Sequence, residues 1–315
     1  LGITTILPLY LRNASEHLRA VESVLSQDCP VPVELLIVDD GSEPAVPSIA
    51  DPRVRILKLP RNYGITYALN AGLTQARYEW IARIDGDDLW RPGKLAKQWS
   101  MLQSDPDLTL VASGMRLVHP ANPRLDRDEI RGGDWASVLA LAQRIGCPFP
   151  HGSILGRRDV FEALNGYPQA ALFQHGEDFA LWAQWVRFFK VAICDEVFLE
   201  YTVSPGQISS RFAEEQTQAS EAARRILGVP GNIPGALQQI AGALKLPLIE
   251  TSRALFTAWR FYNFVLVDED IFEPTGELLP DRSVYRTEDA GKLLSDRFFS
   301  LTKKKRTASL PYRSL

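Results

Sequence analysis

The residues in this chain best suited to chemistry are carboxylates gathered at turns. Asp39-Asp40 ends the apolar run VELLIV, and Asp85, Asp87 and Asp88 follow the run WIARI. Ligands of an open parallel sheet bind outside the carboxyl ends of its strands, so these two segments would meet at one edge. Carboxylates crowded together repel each other unless a cation or hydrogen-bond donors join them. Hard oxygen ligands favour Mg²⁺ or Mn²⁺, and Mg²⁺ commonly uses one or two carboxylates together with phosphate oxygens. The pattern therefore points to a diphosphate substrate, with the metal neutralising charge on a departing diphosphate. Aspartate and glycine after strands also serve simply as turn formers, but paired aspartates at two successive strand ends exceed what turns require. A calcium loop counted from Asp85 fails, because its sixth position is Trp90 rather than glycine and its twelfth is Ala96 rather than glutamate.

The surrounding pattern supplies the elements that would position these groups. Strand-length apolar runs fall at 3–7, 33–38, 54–57, 80–84 and 108–112, the second with the continuous apolar character of a buried parallel strand. Asn13 and Glu16 read as a capping box ahead of Leu18, Val21, Val24 and Leu25 at helical spacing. The turn from Arg61 to Gly64 leads into a second helix, and Pro92 is placed to open a third. Strand and helix alternating with short loops means an α/β fold with a parallel, doubly wound sheet. The pattern weakens between 120 and 150, where 126–134 reads as a loop or insertion. A second ordered block at 151–201 holds a helix beginning near Glu177, with Phe179, Trp182, Val186 and Phe189 on one face. Trp182, Trp90 and Trp99 fit packing better than binding, whereas Trp185 could stack on a sugar ring. Beyond 212 the chain reads as helices at 214–227, 236–244 and 249–267, then a basic tail at 303–306.

Composition narrows the class. The 315 residues are 45% apolar and 23% charged with a net charge of −3, which fits a globular protein and argues against one that coats nucleic acid or anionic membrane. Three scattered cysteines, Cys29, Cys147 and Cys194, are too few for a disulfide scaffold and fit a reducing, cytoplasmic compartment. Apolar stretches are strand-length, so no transmembrane helix is expected. Leu1 stands where an initiator methionine would, which points to a trimmed terminus.

Taken in order, ITTILPLY with the helix ending VLSQ, then VELLIVDDGS, RNYGITYALNAG, RIDGDDLWRPGKL and GEDFALW, resemble the successive motifs of inverting glycosyltransferase family 2 on the GT-A fold. The resemblance covers about residues 2–210. It implies a catalytic unit at 1–212, with a nucleotide-sugar half to about 115 and an acceptor half from 116, followed by a helical extension at 213–315. It also implies a nucleotide-diphosphate sugar donor, usually a UDP-sugar, and a divalent metal, Mn²⁺ or Mg²⁺. Carried over by residue, Pro8 to Tyr10 would line the nucleotide pocket, Asp40 would take the base edge with Asp39 beside it, and Arg61, Asn62 and Gly64 would close over base and ribose. Asp85 would face the ribose and diphosphate, Asp87 would be the metal ligand, and Asp88 would be a third carboxylate at the metal. Glu177 or Asp178 would be the general base on the acceptor hydroxyl, a role that contributes on the order of 10²–10⁴-fold; both residues also suit a helix N-terminus through its dipole. His151 would approach the diphosphate or the acceptor. The acceptor itself is not implied.

The QxxRW motif and transmembrane helices of processive relatives are missing, which favours a single addition by a non-processive enzyme that is at most peripheral to a membrane. A sugar-phosphate nucleotidyltransferase would need a Gly-rich loop after the first strand, where this chain has Pro8-Leu9-Tyr10-Leu11. A dinucleotide-binding enzyme would need G-x-G-x-x-G there. A non-catalytic nucleotide-sugar binder would have no use for the Glu177-Asp178 pair. The C-terminal helices could complete the acceptor site, form a homodimer or bind a carrier.

Overall fold

The computed structural model describes residues 1–11, 17–173, 175–203, 213–228 and 233–266. The elements run β1 (Ile3–Leu9), α1 (Leu18–Leu25), β2 (Val33–Asp39), β3 (Val54–Lys58), α2 (Ile65–Gln75), β4 (Trp80–Arg83), β5 (Leu89–Trp90), α3 (Lys94–Ser104) and β6 (Leu110–Val118). They continue with β7 (Arg127–Glu129), α4 (Trp135–Ile145), β8 (Leu155–Arg157), α5 (Arg158–Ala163), α6 (Glu177–Phe188), β9 (Val191–Thr202), α7 (Ala213–Leu227), α8 (Ile233–Leu244) and α9 (Leu248–Leu266). The capping box at Asn13 and Glu16 and the basic tail lie outside the described residues.

One nine-stranded sheet has the order β3-β2-β1-β4-β8-β6-β9-β5, with β7 paired to β6. The strands β3, β2, β1 and β4 are parallel, and their buried apolar side chains explain the unbroken hydrophobic runs. Chain order reverses between β1 and β4, which creates the crevice where such sheets bind ligands. Leu9 is level with Asp39, and Asp39 with Lys58, so the turns after three strands open on one edge. The mostly parallel sheet that the GT-A resemblance implies is present, and its departures from parallel lie past β4. There β8 runs antiparallel to both β4 and β6, β9 is parallel to β6, and β5 is antiparallel to β9. Short alternating segments announce strands but not direction, and the antiparallel β8 follows a helix rather than a hairpin turn.

Two expectations change. The third helix begins at Lys94 after Gly93, which takes φ +84°, so Pro92 precedes the helix instead of opening it. The weakly patterned region 120–150 contains β7, inside the part read as a loop, and then α4. Trp135, Val138, Leu139 and Ala142, all buried, follow the i, i+3, i+4, i+7 spacing of an amphipathic helix. Asp134 caps it, its carboxylate accepting from the Ser137 amide at 3.0 Å and the Ser137 hydroxyl at 2.6 Å. The Trp135 indole donates to the Val186 carbonyl at 2.7 Å, which ties α4 to α6.

Helix α6 is the hub of the second half. Phe179, Trp182, Trp185, Val186 and Phe188 are buried in a cluster that also takes Ala219 and Ala223 of α7, Leu237 of α8 and Phe256 of α9. Phe188 meets Phe256 at 5.4 Å between ring centroids. The helices beyond residue 212 therefore pack on the element that begins with Glu177-Asp178. No described helix is long and apolar enough to cross a membrane. Trp135→Ala would remove a buried ring and strand the Val186 carbonyl; equilibrium urea unfolding is expected to show a loss of about 3–5 kcal/mol.

Candidate functional site

At the end of β2 the two aspartates act on backbone amides. Asp39 is buried and accepts from the amides of Ser42 at 2.8 Å and Val46 at 3.2 Å. Asp40 accepts from Tyr63 N and Gly64 N, both at 2.8 Å. The first aspartate shapes its own loop, and the second reaches across to hold the turn before α2. Between them Gly41 takes φ +74° against the backbone of Arg61 and Asn62, where a side chain has no room. Burial pushes the Asp40 carboxyl above its usual range, opposed by the two amides it accepts from.

These fastenings leave a cleft of about 390 Å³ lined by Tyr10, Leu11, Gly41, Glu43, Pro60, Arg61 and Asn62. Tyr10, Arg61 and Asn62 are exposed. The Arg61 guanidinium lies 4.9 Å from the Tyr63 ring, which stacks on Tyr67. Pro8 does not line this cleft. It is buried inside β1, level with Val38, so the part expected of Pro8 passes to Tyr10 and Leu11. Asp39 and Asp40 likewise frame the cleft from beneath instead of forming its wall.

At the end of β4 the three aspartates occupy three environments. Asp85 forms a two-pronged ion pair with Arg83, whose side chain is only 6% exposed. Asp87 is exposed, and its carbonyl accepts from the Thr202 hydroxyl at 2.6 Å. Asp88 is buried; its Oδ1 accepts from the Thr202 amide at 3.0 Å, while Oδ2 is buried without a hydrogen-bond partner. Burial first, and then the charges of Asp85 and Asp87, raise the Asp88 carboxyl well above the ordinary range. Asp88 is therefore a buried brace between the turn and the end of β9, not an open third ligand. Among the described residues no group of three or more His, Cys, Asp or Glu is arranged to hold a metal.

The acceptor-side groups gather around the same guanidinium. Glu177 and Asp178 open α6; Glu177 is buried and Asp178 half-buried, with Oδ1 accepting from the Phe179 amide at 2.6 Å. Burial and then the charge of Asp178 raise the Glu177 carboxyl. Burial also raises Asp178, countered by the Phe179 amide and Arg83. His151 sits in a single 3-10 turn with Nε2 2.7 Å from the Tyr167 hydroxyl and its ring edge-on to Trp182 at 5.5 Å. Burial, reinforced by Arg83, holds its imidazole well below the ordinary value. Tyr167 is fixed by Asn70 of α2, whose side-chain amide donates to the Tyr167 carbonyl and accepts from its backbone N–H, each at 2.9 Å. The charge of Arg83 acts on Asp85, Tyr167, Asp88 and Asp178 together. Trp185, read as a possible stacking ring, is fully buried against Phe161 and donates to Thr109 Oγ1.

A family profile described as glycosyl transferase family 2 matches residues 4–164, just over half of the chain. The chain belongs to glycosyl transferase family 2. Over 99 residues it is 43% identical to the succinoglycan biosynthesis protein ExoO of Rhizobium meliloti (strain 1021), a stretch covering 30% of this chain and 28% of that protein. The fold is similar to that of S. aureus TarS 1-349 in complex with UDP-GlcNAc, with TM-score 0.53, 16% identity, and 85% and 77% of the two chains covered. It is also similar to the mannosyltransferase PcManGT of Pyrobaculum calidifontis in complex with GDP-Man and Mn²⁺, with TM-score 0.52, 20% identity, and 96% and 81% covered. These likenesses establish the GT-A α/β fold.

Several groups at this family 2 site were not singled out from the sequence: Arg83, Asn70, Tyr167 and Thr202. Arg83 carried a readable signal, since a charge inside the otherwise apolar run WIARI must find a buried partner. The others act through contacts with residues far away in the chain, for which residue type gives no cue. The raised Glu177 carboxyl has a consequence for stability. Its neutral form is favoured in the folded chain, so its contribution is full below the unfolded value and lost as pH rises through the folded value of about 8. Glu177→Gln, which mimics the neutral form, is expected to melt higher than the parent at pH 8, with the gain shrinking on acidification toward pH 4.5; thermal unfolding across that range checks it.

Proposed function

We propose that the chain is an inverting glycosyltransferase that moves a sugar from a nucleotide-diphosphate donor, a UDP-sugar, to an acceptor hydroxyl in one displacement. The observation that carries this reading is the shared guanidinium. Arg83 pairs with Asp85 beside the exposed Asp87, and its charge also acts, more weakly, on Asp178 at the head of α6, which supports donor-side and acceptor-side carboxylates serving one site. The catalytic unit is 1–212, and the described helices α7, α8 and α9 beyond it support α6. ExoO's part in succinoglycan biosynthesis supports a glycan acceptor.

On this reading the cleft formed by Tyr10, Arg61 and Asn62 takes the base and ribose, and Gly64, Asp39 and Asp40 hold its shape. Asp85 faces the ribose and diphosphate. Asp178 is the base on this reading, because it is less completely buried than Glu177, whose carboxyl burial raises to about 8. Asp178 takes the acceptor hydroxyl proton; the freed oxygen bonds to the anomeric carbon as the carbon–oxygen bond to the diphosphate breaks on the opposite face. His151, held neutral, lies beside the path of the acceptor.

The residues fit a divalent cation carried with the donor. Asp87 offers an exposed carboxylate, and Mg²⁺ typically takes one or two carboxylates with substrate phosphate oxygens rather than an all-protein cage. Asp87 would hold Mn²⁺ or Mg²⁺ there, and the bound ion would offset charge on the leaving diphosphate. The proposed setting is cytoplasmic.

Asp178→Asn and Asp87→Ala are each expected to lower donor turnover on the order of 10²–10⁴-fold, with Asp178→Asn leaving UDP affinity near that of the parent. Calorimetry with UDP and Mn²⁺, and a panel of UDP- and GDP-sugars assayed for nucleotide release, test this. Turnover near the parental rate in both variants would sink the assignment.

A further inference from the structure

Three consecutive backbone carbonyls in the turn carrying His151 are each held by a side chain from the segment just after Asp88. The Trp90 indole donates to the Gly152 carbonyl at 2.8 Å, Gln98 Nε2 to the Ser153 carbonyl at 2.7 Å, and Lys94 Nζ to the Ile154 carbonyl at 3.3 Å. The three donors are themselves linked. Lys94 Nζ donates to Gln98 Oε1 at 2.9 Å and lies 3.9 Å from the centroid of the Trp90 ring, and Gln98 Nε2 also donates to the Val111 carbonyl at 3.0 Å. Lys94 and Gln98 are fully buried.

Packing alone does not call for this arrangement. A buried ammonium forfeits its hydration, a cost that filling the space does not require. Burial pushes the Lys94 ammonium down to about 7, which shows how poorly the place suits a charge. What the polar side chains add is direction: each fixes one carbonyl, and together they fix the turn. The turn matters on both sides. On one it presents His151 to Tyr167 and Trp182. On the other Gly152 packs so closely on Asp88 that an added Cβ would lie 3.3 Å from Asp88 Oδ2.

We propose that Trp90, Lys94 and Gln98 are positioning residues that lock the His151 turn to the Asp85–Asp88 turn, setting the distance between acceptor and donor in the transfer step. The consequence for transfer rests on the function proposed above; the consequence for the turn does not. Because none of the three reaches the cleft at Tyr10 and Asn62, nucleotide binding should be spared while the chemical step suffers, as misplacement by about 1 Å can lower a rate on the order of 10²-fold.

The test uses Gln98→Leu and Lys94→Met, which keep volume and remove polar groups, with Trp90→Phe as an independent third variant that removes the indole donor and one ring. The expected result is a folded protein with a lower melting temperature in the first two, because buried carbonyls lose their donors, and unchanged affinity for UDP with Mn²⁺. The His151 ring resonances should shift in ¹H–¹⁵N spectra, and kcat for nucleotide release should fall on the order of ten-fold or more with KM for the donor nearly constant. His151 resonances at parental positions in all three variants, or a parental kcat, overturn the proposal. If the parent protein turns over no donor, the proposed function falls, and the His151 resonances still decide whether these side chains set the turn.

Discussion

The site is organised around a guanidinium that the fold keeps almost out of water. Burying Arg83 is costly unless its charge is met, and breaking such a buried pair by removing one partner typically costs about 3–5 kcal/mol because the other charge is left uncompensated. Asp85 meets it with two parallel hydrogen bonds, a geometry that fixes the carboxylate plane as well as its distance. Tyr167, Asp88 and Asp178 lie within its field. β4 is short, and its last residue stands level with Ile6 while β1 continues to Leu9. The charge therefore falls inside the crevice at the reversal of chain order instead of at its rim.

Around that charge, most polar groups are committed to the backbone, and this separates framework from working surface. Asp39 and Asp40 are consumed by four amides, Asn70 by both sides of the Tyr167 peptide, and Thr202 by the turn at Asp87 and Asp88. Such bonds hold loops at lengths and angles that loop sequence alone would leave variable. The exposed Tyr10, Arg61, Asn62 and Asp87 then sit on a rigid base, which is what a site built for orientation requires.

How much of this was legible beforehand follows from what kind of information each feature uses. The parallel half of the sheet was readable because buried strands must be apolar on both faces, so VELLIV and ITTIL identify themselves. The helix at Glu177 and its buried face were readable from spacing, as was the fate of Trp182. The helix at Trp135 could have been read too, since Asp134 caps it and Trp135, Val138, Leu139 and Ala142 keep helical period; the glycines and charges at 126–134 masked its start. Strand direction in β8 was not readable, because three residues carry no alternation to interpret. The exchange of roles among acidic residues was equally hidden. Asp87 and Asp88 are neighbours of one type, and only the approach of Thr202 and Gly152 from distant elements makes one a surface group and the other a brace.

The charge state of the site follows from that division. Asp85 is balanced by Arg83, while burial drives Asp88 and Glu177 toward their neutral forms. The crowding of carboxylates evident in the sequence is thus relieved inside the protein by burial and pairing. Asp87 remains exposed and Asp178 partly buried. On the proposed function, a diphosphate entering beside Asp87 would meet a like charge with only a shielded guanidinium behind it, so its approach would favour arrival together with a divalent cation. A phosphate-bound Mg²⁺ commonly takes one or two carboxylates from the protein. A second ionised group in the place of Asp88 would add repulsion toward the acceptor-side base, whose proton uptake depends on the local balance of charge. Keeping Asp88 buried, with its Oδ1 turned to the Thr202 amide, would on the proposed function separate a metal-holding carboxylate from a proton-accepting one.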